Sequence, residues 1–190
     1  MWQANVDRLH GLLHALDFRE SEGRPVDPNL AFQRWAGWTR EVHASGNTVY
    51  FIGNGASASM ASHFSADLAK NGHLHTQVFS DICLVTAVSN DISFEEVYAE
   101  PLRRRGRRGD LLIAISSSGQ SPNILRCVEV AGKLGITVVT LSAFAPDNTL
   151  RGQGHLNAYI PATTYGEAET CHAAVLHCWM DMMEVKHGGA

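Results

Sequence analysis

The residues able to do chemistry fall into three groups. The first is Gly53-Asn54-Gly55-Ala56-Ser57-Ala58-Ser59, which follows the apolar run Thr48 to Ile52 and leads into a helical pattern ending at Gly72. A strand, a glycine turn, serines and a helix start make an anion cradle. Glycines let the backbone approach, hydroxyls donate hydrogen bonds, and the free N–H groups and dipole of a helix start favour negative charge. The second group, Ser116-Ser117-Ser118-Gly119-Gln120-Ser121, repeats that arrangement after the run Leu111 to Ile115, with Pro122 suited to the first turn of the next helix. It carries four hydroxyls and no charged side chain, although a loop that only caps its helix would look similar.

The third group is His63 with Asp67, four residues apart in the first helical pattern, and Glu169, His172 and His177 near the end of the chain. Residues i and i+4 share a helix face, so His63 and Asp67 form either a surface ion pair or half of an acid–base or metal site. Glu169 and His177 lie about 12 Å apart along a regular helix and reach one ion only by leaning towards the middle. His172 projects away from His177.

Nucleotide chemistry is a poor fit. A P-loop requires a lysine that neither cradle has, and Gly53, Gly55 and Ala58 make only a partial dinucleotide fingerprint, without an acid for the ribose. Serine-rich seats without cations suit a small phosphomonoester.

The elements that must position these groups read as an α/β protein. Leu9, Leu12, Leu13 and Leu16 form one helical stripe, ended by the polar stretch Glu20 to Arg24. Asp27-Pro28 opens a second helix, with Trp35, Trp38 and Val42 on one face, that stops near Gly46. The runs Thr48–Ile52, Ile82–Ala87, Leu111–Ile115, Ile136–Leu141 and Leu156–Ile160 predict five strands. Helical segments follow from Ser93 (disturbed by Pro101), from Pro122 to Gly135, and from about Glu167 towards Lys186. Strands apolar throughout and alternating with helices imply a parallel sheet covered on both faces, with ligands beyond the carboxyl ends of the strands. Ser89-Asn90-Asp91 would then punctuate a third strand end.

At 190 residues, one domain covering 1–190 is expected. A net charge of −4 argues against a nucleic-acid surface, and the short basic run Arg103 to Arg108 reads as a solvated turn or subunit contact in preference to a polyanion site. Cys83, Cys127, Cys171 and Cys178 contain no C-x-x-C pair, and no signal peptide or membrane-length apolar run accompanies them. A cytoplasmic protein without nucleic-acid or membrane partners is the expectation.

Gly53-Asn54-Gly55-Ala56-Ser57, then His63 with an acid four residues on, then Ser116 to Ser121 and the E-x-x-H-x-x-x-x-H run from Glu169 to His177, resembles the sugar isomerase (SIS) superfamily. Within it, the phosphoheptose isomerases are most similar. The resemblance implies an SIS-type, flavodoxin-like sandwich whose N-terminal helices serve oligomerisation, and a homotetramer with sites shared between subunits. It implies an enzyme that isomerises an aldose and a ketose, sedoheptulose 7-phosphate and its aldoheptose partner, through an enediol. Ser57, Ser116, Ser118 and Ser121 match the serines that hold phosphate, with Ser117 in the same loop; Asn54 and Asp91 match positions along the sugar. His63, Asp67, Glu169 and His177 match a zinc-binding set, with Glu169 also facing substrate, and Asp67 and His177 match the pair that moves protons.

Two residues depart from the family pattern: Asp67 stands where Glu is usual, and Glu169 where Gln is usual. The first withdraws a carboxylate by about one bond length, and a misplacement near 1 Å can cost on the order of a hundredfold in rate. The second adds a negative charge, which favours a divalent cation. The family's acid just before that Gln has only Gly166 or Glu167 as counterpart. Another heptose or octose phosphate in secondary metabolism is therefore a second reading. A non-catalytic SIS adaptor or sugar-phosphate sensor is a third.

Overall fold

The computed structural model describes residues 1–183. In chain order the elements are α1 (Trp2–His14), β1 (Asp17–Arg19), β2 (Pro25–Val26), α2 (Pro28–Ala44), β3 (Thr48–Gly53), α3 (Ala56–Gly72) and β4 (His75–Val78). They continue with α4 (Ile82–Asp91), α5 (Ala99–Arg105), β5 (Leu111–Ser116), α6 (Pro122–Leu134), β6 (Thr137–Ala143), β7 (Leu156–Ile160) and α7 (Tyr165–Asp181). Short 3₁₀ turns occupy Phe94–Glu96 and Thr149–Gly152. The sheet runs β2-β1-β7-β6-β5-β3-β4. Its five strands from β7 to β4 are parallel, and β1 and β2 extend it antiparallel at one edge.

The architecture is the expected covered parallel sheet, with two corrections to its strands. Ile82 to Ala87 forms the start of helix α4, not a strand. The Asp81 carboxylate accepts from the Leu84 N–H at 2.9 Å and caps a helix in which only Val88 is buried. Continuous apolarity therefore marks a surface here, and Ser89 to Asp91 end a helix. The missing parallel strand is β4, His-Thr-Gln-Val, whose edge position explains its polar composition. The polar stretch Glu20 to Arg24 turns the hairpin between β1 and β2, with Gly23 at φ +76°. Pro101 falls in the first turn of α5, where a missing N–H leaves nothing unpaired. At the end of α3 the left-handed residue is His73, not Gly72. The proposed continuation of the last helix to Lys186 lies outside the described residues.

Alternation along the central strands divides the core. Val49 and Phe51 of β3, with Leu111, Ile113 and Ile115 of β5, face a cluster built with α2, α3 and α7. Tyr50, Ile52, Leu112 and Ala114 face a second cluster built with α5 and α6. In the first cluster Trp35 of α2 stacks on Trp179 of α7, with ring centroids 4.3 Å apart. Thr39 receives the Trp179 indole N–H at 3.2 Å and itself donates to the Trp35 carbonyl. Trp35 is thus core, while Trp38 is only half-buried.

Helix α7 is set at its start by a capping box, Thr164 with Glu167. Glu167 also accepts from Arg8 of α1 at 2.9 Å, and that guanidinium, with the Thr163 N–H, holds its carboxyl near about 2. Further along, the fully buried His172 donates through Nε2 to the Ser142 carbonyl at 3.1 Å, while its Nδ1 has no partner among the described residues.

Burial pushes the His172 imidazole down to about 4, against a smaller upward pull from the Ser142 carbonyl. The unfolded chain, near its ordinary 6.5, takes up the proton first. Stability is therefore full above pH 6.5 and declines as pH falls towards 4, by up to about 3 kcal/mol. Urea denaturation of the wild type should show this loss between pH 7 and pH 4.5. His172→Gln should be less stable at pH 7 and lose much less over the same interval.

Candidate functional site

The parallel strands leave a crevice at one place. From β3 the chain moves outward to β4, whereas from β5 it moves the other way to β6 and β7. Helix α3 packs on one face of the sheet and α6 on the other, so the ends of β3 and β5 part at a topological switch point, the usual ligand position in such sheets. The cavity there measures about 260 Å³ and is lined by Asn54 to Ser57, Ile115 to Ser118, Ser121, Tyr165 and Glu169.

Backbone constraints build both cradles. A Cβ at Gly53 would lie 2.6 Å from the Ser57 carbonyl, so only glycine lets α3 start so close to β3. Gly55 follows at φ +56° and ψ −125°, a conformation open to glycine alone. In the second loop, a Cβ at Gly119 would meet Asn148 at 1.9 Å. The hydroxyls of Ser116 and Ser118 lie 3.5 Å apart, and those of Ser116 and Ser121 3.3 Å apart. Ser116 also receives the Gly119 N–H, and Ser118 the Gln120 N–H.

Neither α3 nor α6 has a side-chain cap among the described residues. Ser121 holds the N-cap position of α6, yet its hydroxyl turns to Ser116 and accepts no helix N–H. Two helix starts, whose N-cap side chains take none of the helix N–H groups, therefore converge on one cavity. Such an arrangement can seat a phosphate dianion through helix dipoles and hydroxyls without a cation.

Seven of the eight expected substrate-binding residues meet at this cavity: Asn54, Ser57, Ser116, Ser117, Ser118, Ser121 and Glu169. Asp91 does not. It ends α4 in an exposed position, its carboxylate accepting from Asn90. Sequence reasoning missed Asn123, Tyr98 and Tyr165. Asn123, 1% exposed, exchanges reciprocal amide hydrogen bonds with Asn54, both 2.9 Å. The Tyr98 hydroxyl donates to the Gly53 carbonyl and lies 3.2 Å from the Asn54 Oδ1. Together they fix the amide that faces the cavity. Only the nearness of Asn123 to Ser121 offered a signal.

The expected ligand and proton-transfer residues lie apart from that cavity. His63 Nε2 is 3.4 Å from Asp67 Oδ2, and the His63 and His177 rings are 5.9 Å apart, with Phe64 packed beside both. None of these three lines the serine cavity. Glu169 does, about two helical turns of α7 from His177. Among the described residues no three His, Cys, Asp or Glu side chains gather as a metal site. As placed here, His63, Asp67, Glu169 and His177 do not form a zinc shell. Glu167 is engaged by Arg8 and the α7 cap and offers no replacement.

A parallel α/β sheet with a serine-lined anion seat at its switch point is the arrangement of a sugar-phosphate-binding domain. The chain belongs to the SIS domain family, whose family model matches residues 29–143. The phosphoheptose isomerase of Coxiella burnetii is 34% identical over 142 residues, covering 70% of this chain and 71% of that protein. That of Chlorobaculum parvum is 31% identical and spans 96% of this chain and 90% of its own. A phosphoheptose isomerase structure from Francisella tularensis superposes with a TM-score of 0.76 at 27% identity, over 83% of this chain and 86% of that one.

Ser121→Ala separates a ligand seat from a mere helix cap. Because the hydroxyl caps nothing, thermal or urea unfolding should change by no more than about 0.5 kcal/mol. Inorganic phosphate affinity, read by calorimetry, should fall about tenfold. A loss of about 1 kcal/mol in stability with phosphate affinity unchanged would identify the loop as a cap.

Proposed function

We propose that this chain interconverts sedoheptulose 7-phosphate and the corresponding aldoheptose 7-phosphate. That it is a sugar-phosphate isomerase follows from its family and from relatives named for that activity. The heptose and the residues below are our reading. The observation that carries it is the convergence of two uncapped helix starts and their serines on one cavity walled by Glu169.

The substrate's phosphate sits on Ser57, Ser116, Ser118 and Ser121, and Asn54, held by Asn123 and Tyr98, binds a hydroxyl of the sugar. The reacting carbons of a seven-carbon chain lie at its opposite end. His63 stands about 9 Å along α3 from Ser57, so a long sugar can span from the seat to the His63, Asp67 and His177 cluster. There one of Asp67 and His177 removes the proton from the carbon beside the carbonyl, and the other protonates the carbonyl oxygen, giving the enediol. Returning the proton to the neighbouring carbon while the other hydroxyl loses its own completes the shift of the carbonyl. No net oxidation occurs and no other reactant is needed.

Assembly belongs to the same reading. Trp2, Val6 and Leu13 of α1, and Ile82, Ile92 and Phe94 around α4, are exposed apolar side chains. Packing between copies in a homotetramer would cover them and bring Asp91 of α4 close to a neighbouring site.

Asp67→Ala and His177→Ala should each stay folded by circular dichroism and lose at least a hundredfold in turnover of sedoheptulose 7-phosphate. Full activity in both variants would overturn the assignment. Turnover that is faster on other heptose or octose phosphates would move the substrate while keeping the chemistry, and Asp67 and Glu169 are the residues that favour that second reading.

Elemental analysis tests the zinc expectation. Near-stoichiometric zinc in the wild type, lost in His63→Ala, would mean that assembly or substrate draws the four donors together. Protein that stays metal-free after zinc is added back, yet turns over substrate, would assign the reaction to Asp67 and His177 unaided.

A further inference from the structure

The larger cavity, about 530 Å³, lies at the opposite end of the sheet. Tyr50, His75 and Gln77, at the amino ends of β3 and β4, form its floor, and the turn after α5 forms its rim. The basic run Arg103 to Arg108 spans the end of α5 and this turn, and the sequence favours a solvated turn or subunit contact there over a polyanion site.

The rim is rigid. Asp110, 2% exposed, accepts the Thr48 N–H at 2.9 Å and the Arg107 N–H at 2.7 Å, so both carboxylate oxygens are engaged by backbone. Gly109, at φ +90°, lies where a Cβ would be 2.4 Å from the Asn47 amide nitrogen. Arg107 is therefore presented from a fixed backbone. Arg105, at the end of α5, has its guanidinium 5.8 Å from the Phe79 ring, which in turn stacks on Tyr50. Arg103 and Arg104 pair with Glu96 and Glu100. Arg105 and Arg107 have no acidic partner among the described residues.

Tyr50 is 3% exposed. Burial and the Asp110 charge raise its phenol, while a hydrogen bond with Thr48 and the charges of Arg105 and Arg107 act to lower it. Both guanidiniums are thus within charge range of its hydroxyl. Arginines at a helix C-terminus complement the dipole, which accounts for Arg103 to Arg105 but not for Arg107 or for the cavity they face.

We propose that this cavity is a second anion site, taking a small ligand with two phosphate-type groups, one for each of Arg105 and Arg107, with Tyr50 at its floor. Guanidinium forks bind such oxygens in pairs, and the volume is that of a small-molecule site. Lying at the amino ends of the strands, it accepts an effector that does not compete with a sugar phosphate at the serines. The proposal stands independently of the heptose assignment.

Calorimetric titration with inorganic pyrophosphate tests it on three variants. The wild type should bind two equivalents per chain. Arg105→Ala/Arg107→Ala should lose one of them, at least tenfold weaker, and Ser116→Ala/Ser118→Ala the other. Arg24→Ala/Arg108→Ala, which removes equal charge outside the cavity, should match the wild type. The site is overturned if the Arg105/Arg107 variant binds as the wild type does, or if the serine variant abolishes all binding. Equal weakening in the Arg24/Arg108 variant would show diffuse charge attraction and overturn it too.

Discussion

No room exists for a side chain where β3 gives way to α3. At Gly53 a single added carbon would collide with the Ser57 carbonyl. That approach brings the first turn of α3 against the end of β3 and buries Ser57 to 6% exposure. It also sets the start of α3 at the edge of the crevice. Gly119 enforces the same economy of space against Asn148 on the neighbouring strand end. With both contacts in place, two helices on opposite faces of the sheet aim their positive ends at one point. A phosphate at that point would meet fixed backbone dipoles, which need no reorganisation when the ligand arrives.

How much of this was legible in the sequence depended on whether a residue's role was local. Gly53 to Ser57 and Ser116 to Ser121 announced themselves because turn chemistry and helix starts are written in consecutive residues. The strands of the sheet centre were equally plain. The run Ile82 to Ala87 misled because apolarity was taken for burial. Asp81 is the cue that it begins a helix, and its apolar side chains lie largely uncovered in the single chain. β4 was invisible because an edge strand needs no apolar face on its outer side. Tyr98 and Asn123 were missed since their partner, Asn54, lies 44 and 69 residues away. Only tertiary structure pairs them.

The site itself is spread along two helices. The serine cavity and the proposed proton-transfer cluster share α3 and α7, but at different heights: Ser57 and Glu169 near their starts, His63, Asp67 and His177 further on. Rigid helices fix that spacing, and the buried stack of Trp35 on Trp179 and the bond from Trp179 to Thr39 hold α7 against α2. In the proposed reaction, substrate length is set against helical rise rather than against a loop that could adjust.

The hairpin at the sheet edge has a meaning beyond topology. β1 covers β7, and β2 covers β1 with Pro25, which has no N–H to offer an incoming strand. Asp17 of β1 is tied down by Arg151 and Arg19. The far edge is the four-residue β4. A sheet blunted on that side and short on the other is a poor template for strand addition. If copies of this chain meet, helical faces rather than sheet edges are left to carry the contact.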